Sequence, residues 1–431
     1  MNPYRHERGA ATLVVVMVMF LIMAMLAAYA NRNLVFEQRI ASNYVRSAAA
    51  HEAAEAGLEW GLALLNGSKI DGACQPSASG TDTFRNRYMS IDGTTGAIAL
   101  LAPASKTMIA NCARATSGTW QCQCPGATEA VPGPQLAGAQ EAQPSFNLQL
   151  EFIARNGVVR LKALGCSDSQ LDTCTDRNLN QQAAANALLL GNSQMRVEAA
   201  LLSALKMPPA APLISRLALS TDVQGAGLHN SDPRSGGVLL ISGENLPPDL
   251  PEDRLDSLPG SSARQALFGP DSVLKAASEG DAMFRLFFGM PSASYRMQPA
   301  MKRITCNGDC AQTLLDAYDA GTRMLWVDGD LSISSNIALG SDAEPLVLVA
   351  AGAVTLDGPM RLHGLLYARG DLTWHNGSGL PALLKGAAIA EGRVKLAGRV
   401  DFWYLSSIMD RLNKATGSFV RVPGSWSDMN K

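Results

Sequence analysis

The chain has 431 residues, a formal net charge of −2 and 39 glycines. Its length allows two or three folded units rather than one. The near-neutral charge gives no sign of a nucleic-acid partner, which would normally meet a basic face or stripe. Abundant glycine with only 6% aromatic residues favours a β-rich, turn-rich architecture over a helical bundle.

The N-terminus predicts a membrane anchor. Arg5, Arg8 and Gly9 directly precede an apolar run over residues 10–30 that contains no charge, glycine or proline. At ~1.5 Å per residue this run spans roughly 31 Å, the thickness of a bilayer core. It is longer than the usual apolar region of a secretory signal and no A-x-A site closes it, so we expect it to stay in the protein. A simple signal anchor is the alternative interpretation.

The helix is predicted to continue past the membrane. No proline interrupts residues 31–66, and apolar side chains recur there at helical spacing. This stripe comprises Phe36, Ile40, Tyr44, Ala48, Ala54, Leu58, Leu62 and Leu65, and the other faces carry Arg32, Glu37, Arg39, Arg46, Glu52, Glu55 and Glu59. We therefore expect one helix over residues 10–66, with its first half in lipid and its second half packed on a globular head. An anchor joined to an unrelated coiled-coil stalk is the alternative.

Residues 67–207 are predicted to form the globular head on which the helix packs. Its first part, to residue 143, is rich in Gly, Ser, Thr, Pro and Ala and indicates loops. Apolar and polar residues then alternate over 148–152 and again over 159–163, which predicts a β-hairpin. Asn156-Gly157 lies between the two strands and is the preferred dipeptide of a tight type I′ turn. A third strand is expected over residues 194–202, and the prolines from 208 to 212 mark a domain boundary.

Residues 208–431 contain a loose repeat with a glycine at its centre. The four segments are Trp326–Ile333, Val349–Leu356, Tyr367–Trp374 and Ile389–Leu396, and their glycines are Gly329, Gly352, Gly370 and Gly392. A period near twenty residues with glycine turns predicts a small β-solenoid, with an ordinary β-sandwich as the alternative. Residues 244–320 lack the pattern and are expected to be an insertion. The whole chain is therefore predicted to be α+β: a long helix on an antiparallel sheet, followed by a β-rich domain.

The eight cysteines predict disulfides. They are Cys74, Cys112, Cys122, Cys124, Cys166, Cys174, Cys306 and Cys310. Zinc is the alternative, but the spacings lack the paired C-x-x-C knuckles of a zinc ribbon. Disulfides place the bulk of the chain in an oxidising compartment. Cys166–Cys174 and Cys306–Cys310 are plausible local pairs, and the other four cysteines could pair in three ways.

The sequence predicts neither an enzyme nor a cofactor. Asp328, Asp330 and Asp371 could in principle bind a metal or act as acid and base, but aspartate beside glycine is common turn chemistry. His363 and His375 lie 12 residues apart, outside any metal-ligand spacing. No P-loop, G-x-S-x-G or dinucleotide fingerprint is present.

The leader resembles the class III signal of type IV prepilins, because it is short and basic and ends in Gly9 before a small Ala10. The resemblance implies that residues 1–9 are a leader, that a prepilin peptidase cuts between Gly9 and Ala10, and that Ala10 becomes N-methylated. A nearer resemblance is to PilX-type minor pilins. It covers roughly the first 65 residues, through Arg8-Gly-Ala-Ala-Thr-Leu-Val-Val-Val, Glu37-Gln-Arg-Ile-Ala-Ser-Asn and, most specifically, Ala53-Ala-Glu-Ala-Gly-Leu-Glu.

This resemblance implies a minor pilin that primes type IV pilus assembly with other minor pilins and the major pilin, and contributes to adhesion or twitching motility. Most pilins have glutamate at the fifth mature position, where it neutralises the N-terminal ammonium of a neighbour. Counted from Ala10, that position is Val14, as in the general secretion pathway K pseudopilins at filament tips. We therefore expect an inner-membrane protein with a periplasmic C-terminal domain that moves to the pilus tip. The alternatives are a type II secretion pseudopilin and a displayed adhesin without a priming role.

Overall fold

The computed structural model describes residues 9–101, 108–126, 143–168, 191–222, 226–248, 250–278 and 281–428. The helices are α1 (Gly9–Leu65), α2 (Phe84–Tyr88), α3 (Ser272–Ala276), α4 (Ala282–Phe288), α5 (Ser292–Tyr295), α6 (Ala311–Asp319) and α7 (Ser406–Lys414), with 3₁₀ turns at Pro233–Ser235, Glu252–Arg254 and Ala263–Ala266. The first strands are β1 (Lys69–Ile70), β2 (Asp82–Thr83), β3 (Met89–Ile91), β4 (Ile98–Leu100), β5 (Met108–Arg114), β6 (Trp120–Gln123), β7 (Ser145–Phe152), β8 (Val158–Cys166) and β9 (Asn192–Ser203).

The remaining strands follow in chain order. They are β10 (Leu213–Ser215), β11 (Leu219–Thr221), β12 (Ala226–His229), β13 (Leu240–Ser242), β14 (Leu255–Asp256), β15 (Leu267–Phe268), β16 (Met301–Ile304), β17 (Met324–Val327), β18 (Leu331–Ile333), β19 (Ala338–Leu339), β20 (Leu346–Ala350), β21 (Val354–Asp357), β22 (Arg361–Ala368), β23 (Leu372–Asn376), β24 (Ala382–Ala390), β25 (Val394–Gly398), β26 (Val400–Trp403), β27 (Gly417–Arg421) and β28 (Ser427–Asp428).

The N-terminal helix α1 is continuous over 57 residues, or about 86 Å at 1.5 Å per residue. Side chains from Ala11 to Val45 are exposed, and burial begins at Ala50. The predicted range of 10–66 is confirmed to within a residue. The packed part is shorter than the predicted apolar stripe, because Phe36, Ile40 and Tyr44 are 62%, 61% and 74% exposed.

An antiparallel sheet packs on the C-terminal part of α1. Its strand order is β27–β9–β8–β7–β5–β6, and the predicted hairpin forms β7 and β8. The prediction of a tight type I′ turn at Asn156-Gly157 was wrong. Phe152 pairs with Val159, so a loop longer than two residues joins the strands. In that loop the Val158 amide donates to the Arg155 carbonyl, and Gly157 adopts a φ of +71°, which glycine tolerates without strain.

The edge of this sheet comes from the other end of the chain. β27 pairs antiparallel with β9, and Gly417 lies opposite Ser203. Residues 204–416 therefore leave the sheet and return to it at adjacent positions. This differs from the predicted division at 207/208, which placed all of residues 208–431 outside the head.

The C-terminal repeats form a parallel β-solenoid. Trp326 pairs with Val349, Val349 with Tyr367 and Tyr367 with Ile389, so the four predicted repeats stack in the register of their sequence alignment. Leu331, Val354, Leu372 and Val394 stack in the same way on a second sheet. A sandwich of hairpins would need antiparallel neighbours, and the parallel pairing excludes it.

The solenoid coils bend at stacked glycines. β24 pairs with β26 through residues 382–385 and with β10 through 388–390, so one strand contributes to two sides of the coil. The bend falls at Gly386, whose φ is +130°. A Cβ atom there would lie 1.9 Å from the Gly364 carbonyl oxygen of the neighbouring coil, so only glycine fits between the stacked turns.

The coils do not stack in chain order. β10 pairs with β24 and β13 pairs with β10, followed by β15, so the first coils of the solenoid extend the last one. β16 stands at the opposite end, next to β17. The expected insertion at 244–320 was therefore wrong for β14, β15 and β16, which are solenoid strands. These strands are short, and a 3₁₀ turn and three helices separate them, so the sequence does not show the repeat there.

Two hydrophobic cores share the largest solenoid sheet. Leu325, Val327, Leu348 and Leu366 point into the coil interior. The alternate residues Trp326, Val349 and Tyr367 point outward and are covered by α4, α5 and α7. Phe284 of α4 makes edge contacts with both Trp326 and Tyr367. The helices thus bury an outer face that would otherwise expose large apolar side chains.

Candidate assembly surface

The residues predicted to be processed lie at the start of α1. Gly9 is its first residue, and the leader before it lies outside the described residues. Cleavage between Gly9 and Ala10 and methylation of Ala10 stay predictions. Val14 lies one turn into the helix and is 57% exposed, so its side chain faces whatever surrounds the helix.

The first part of α1 is long and apolar enough to cross a membrane. None of its most apolar window is buried within the protein. Apolar surface of this extent is unfavourable in water and favourable in lipid. The helix therefore fits a single-pass membrane anchor.

A second exposed segment of α1 separates the anchor from the head, and we call residues 31–45 the collar. Its large apolar side chains are 48–74% exposed and are Leu34, Val35, Phe36, Ile40, Tyr44 and Val45. Charged residues interleave with them, including Arg32, Glu37 and Arg39. Because a soluble surface rarely keeps so long an apolar stripe uncovered, the collar is suited to packing against other helices.

Small residues bring α1 into close contact with the head sheet. A Cβ atom on Gly165 of β8 would lie 2.0 Å from the Ala50 carbonyl oxygen and 2.5 Å from the Ala54 nitrogen. On the helix side, a Cβ atom on Gly57 would lie 2.8 Å from the Phe146 ring. These contacts give a physical reason for the Ala53-Ala-Glu-Ala-Gly-Leu-Glu element, since bulkier side chains would push the sheet off the helix.

A comparison with known families finds a match over the same helix. Residues 8–59 match the model described as PilX N-terminal. The N-terminal region of the chain is therefore similar to that of PilX-type pilins. No curated protein and no solved structure matches the chain.

Glu59, the last residue of the Ala53-Ala-Glu-Ala-Gly-Leu-Glu element, connects α1 to the returning strand β27. Glu59 forms an ion pair with Arg421 of β27. Directly after α1 ends at Leu65, the Asn66 side chain accepts from the Phe419 amide at 2.7 Å and donates to the Phe419 carbonyl at 2.9 Å. The side chain of Phe419 is fully buried in the head core. The chain therefore enters and leaves the solenoid through two strands of the head, β9 and β27.

The disulfides select one of the three open pairings. Cys74 is bonded to Cys124 and Cys112 to Cys122, and Cys306 is bonded to Cys310 in the solenoid. Cys166 is also disulfide-bonded, while Cys174 lies outside the described residues. No described cysteine is free, so these sulfurs are not available as thiolates for zinc.

The aspartates of the repeat lie in the short bends between strands and bind neighbouring coils. The Asp330 carboxylate accepts from the Ala353 amide at 2.7 Å, and the Asp371 carboxylate accepts from the Arg393 amide at 2.7 Å. Asp328 pairs with Arg303 at 2.7 Å. Each carboxylate thus binds a neighbouring coil. The two histidines are apart, with His363 on Asp342 at 2.7 Å and His375 on Asp357 at 3.0 Å.

One feature had no signal in the sequence. A cleft of about 160 Å³ lies between the head and the solenoid. It is lined by Arg85 from α2, Arg323 just before β17 and Arg411 from α7. These arginines are at least 88 residues apart in the chain, so only the tertiary fold brings them together.

Proposed function

We propose that this PilX-type pilin is a minor subunit that primes filament assembly and stands at the filament tip. The observation that carries the proposal is the exposed surface of α1 from Ala11 to Val45, which is apolar along the anchor and mixes apolar with charged side chains along the collar. Before assembly, lipid can cover its first part. In a filament, helices of other subunits would cover both the anchor and the collar.

The tip location is supported by Val14. A charged pair can be tolerated in an apolar filament core, whereas an unpaired charge there is costly. Valine cannot neutralise the N-terminal ammonium of a subunit added above it. A subunit with this residue is therefore best accommodated where no subunit stands above.

Processing and placement test the proposal together. In a host with active prepilin peptidase, Gly9→Val is expected to leave an uncut precursor by mass spectrometry and to reduce surface filaments. Val14→Glu is expected to move the subunit from the tip into the shaft, as seen by immunogold labelling, and Val14→Gln provides the uncharged control. An intact N-terminus on the wild-type protein in that host, or labelling along the shaft for the wild type, would contradict the proposal.

A second candidate function is ligand attachment through the solenoid, favoured by its size and by its insertion between two paired strands. We also propose that the protein has no catalytic activity, because the carboxylates of Asp328, Asp330 and Asp371 are each bound to a neighbouring coil. A purified protein that hydrolyses glycan or peptide would overturn this. The remaining alternative is a type II secretion pseudopilin, and copurification with secretion-system pseudopilins rather than pilins would favour it.

A further inference from the structure

The cleft between the head and the solenoid concentrates positive charge. Among the described residues, its charged lining consists of three cations, Arg85, Arg323 and Arg411, and one anion, Glu344. The polar lining adds Asn66, Thr83, Asn86, Thr322 and Thr416. Three guanidinium groups and one carboxylate leave the cleft with an excess of positive charge and many hydrogen-bond donors.

Of the three arginines, Arg323 is the one that has an ion-pair partner among the described residues. Arg323 forms an ion pair with Glu344, and its guanidinium carbon lies 3.9 Å from the centre of the Tyr318 ring. Within the described part of the chain, no carboxylate lies within 4 Å of the Arg85 or Arg411 side-chain nitrogens. Two cations therefore face the cleft without an ion-pair partner from these residues.

The charge of Arg85 is poorly stabilised by its surroundings. Arg85 is half-buried, and its only described hydrogen bond is a long one, 3.4 Å to the Gly417 carbonyl oxygen. Burial, and then the charge of Arg323, lower the pKa of Arg85 to about 10. A desolvated guanidinium whose N–H donors make one long hydrogen bond is stabilised when it binds an anion.

We propose that the cleft binds a phosphate group or a similar tetrahedral oxyanion, held by Arg85 and Arg411 with Arg323 beside them. The planar guanidinium matches such oxyanions through paired N–H donors. At about 30 Å³ per water molecule, the cleft of about 160 Å³ has room for roughly five waters, which is enough for a phosphate group. Since the arginines come from both the head and the solenoid, the bound anion joins the two parts.

Calorimetric titration of the full-length protein in detergent with inorganic phosphate at constant ionic strength tests the site. We expect one phosphate per chain and no comparable binding of chloride. Arg85→Gln and Arg411→Gln should each weaken phosphate binding about tenfold, the effect of losing one charge-assisted contact. Arg393→Gln, which removes an exposed arginine of the solenoid, is the matched control and should leave phosphate affinity unchanged.

Two further measurements separate binding from folding. Without phosphate, Arg85→Gln should melt near the wild-type temperature, because removal of a desolvated charge offsets the loss of the contact between the Arg85 guanidinium and the Phe419 ring, whose centre lies 5.4 Å away. Glu344→Gln should strengthen phosphate binding, because it removes the competing carboxylate. No detectable phosphate binding, or equal binding by wild type, Arg85→Gln and Arg411→Gln, would overturn the proposal.

The source of the phosphate is distinguished by a second titration with glucose 6-phosphate. If glucose 6-phosphate binds more tightly than inorganic phosphate, the site is supported and its ligand is a phosphate carried by a sugar. Equal or weaker binding supports the site with free phosphate as its ligand. Absence of binding for both compounds overturns it.

Discussion

Ser203 at the end of β9 and Gly417 at the start of β27 are direct partners in the antiparallel head sheet. The whole solenoid lies between them in the chain. Its entry and exit are therefore adjacent, as they would be in an ordinary hairpin. The solenoid takes the place of one turn of the head sheet, and the head is completed only when the chain returns to form β27.

Removal of residues 204–416 should leave a folded head. If Ser203 and Gly417 are rejoined by an Asn-Gly turn, β9 and β27 can still pair. We expect the shortened protein to support filaments, counted by electron microscopy, while attachment to surfaces is lost. Truncation after residue 207 is the contrasting control, because it also removes β27 and should destabilise the head. Loss of filaments with a folded, membrane-inserted shortened protein would show that the solenoid is needed for priming.

Gly165→Ala should loosen the contact between α1 and the sheet. The new Cβ would meet the Ala50 carbonyl oxygen at 2.0 Å, which the backbone can relieve only by moving. We expect a loss of about 1–3 kcal/mol in the free energy of unfolding, as for other overpacked sites, measured by urea denaturation in detergent. The control is Gly72→Ala, where a Cβ meets no atom within 4 Å. Equal stability of the two variants would refute the close-packing account of this contact.

Asn66→Ala should weaken the attachment of β27. It removes both hydrogen bonds to the Phe419 backbone and leaves a buried amide or carbonyl without its partner. The expected cost is about 1–3 kcal/mol in the free energy of unfolding. Hydrogen exchange should also show faster opening of β27. Asn192→Ala, at an exposed position of β9, should change neither measurement.

Asp309 should make the stability of the solenoid end depend on pH. Hydrogen bonds from Ser335, the Ala311 amide and Ser334 lower the pKa of Asp309 from 3.8 to about 2. Because the folded pKa lies below the unfolded one, this stabilisation is present above about pH 4 and disappears as the pH falls through 2. The stability difference between wild type and Asp309→Asn should therefore shrink over that range in thermal melts.

The matched control for this measurement is Asp319→Asn, an exposed position at the end of α6. Its difference from wild type should stay small at every pH. A difference for Asp309→Asn that is constant from pH 5 to pH 2 would contradict the assigned hydrogen bonds.

Local patterns were enough to place the elements whose signal repeats along the chain. The apolar run and the helical spacing located α1 to within a residue, because a helix is satisfied by its own hydrogen bonds. The repeated Gly329, Gly352, Gly370 and Gly392 located the solenoid coils, because each coil must fit the next at the same position. The alternation over 148–152 and 159–163 located the hairpin strands but misjudged their turn, since Asn156-Gly157 lies in a longer loop.

Partners that are distant in the chain were decided by the fold alone. Pairing of Ser203 with Gly417, stacking of β10 on β24 and the choice of Cys74–Cys124 all depend on which edges and faces remain uncovered once the local elements have formed. The periodicity of the sequence does not predict these pairings. The cleft around Arg85 and Arg411 has the same origin, because charges from separate segments meet only after the head and the solenoid have packed together.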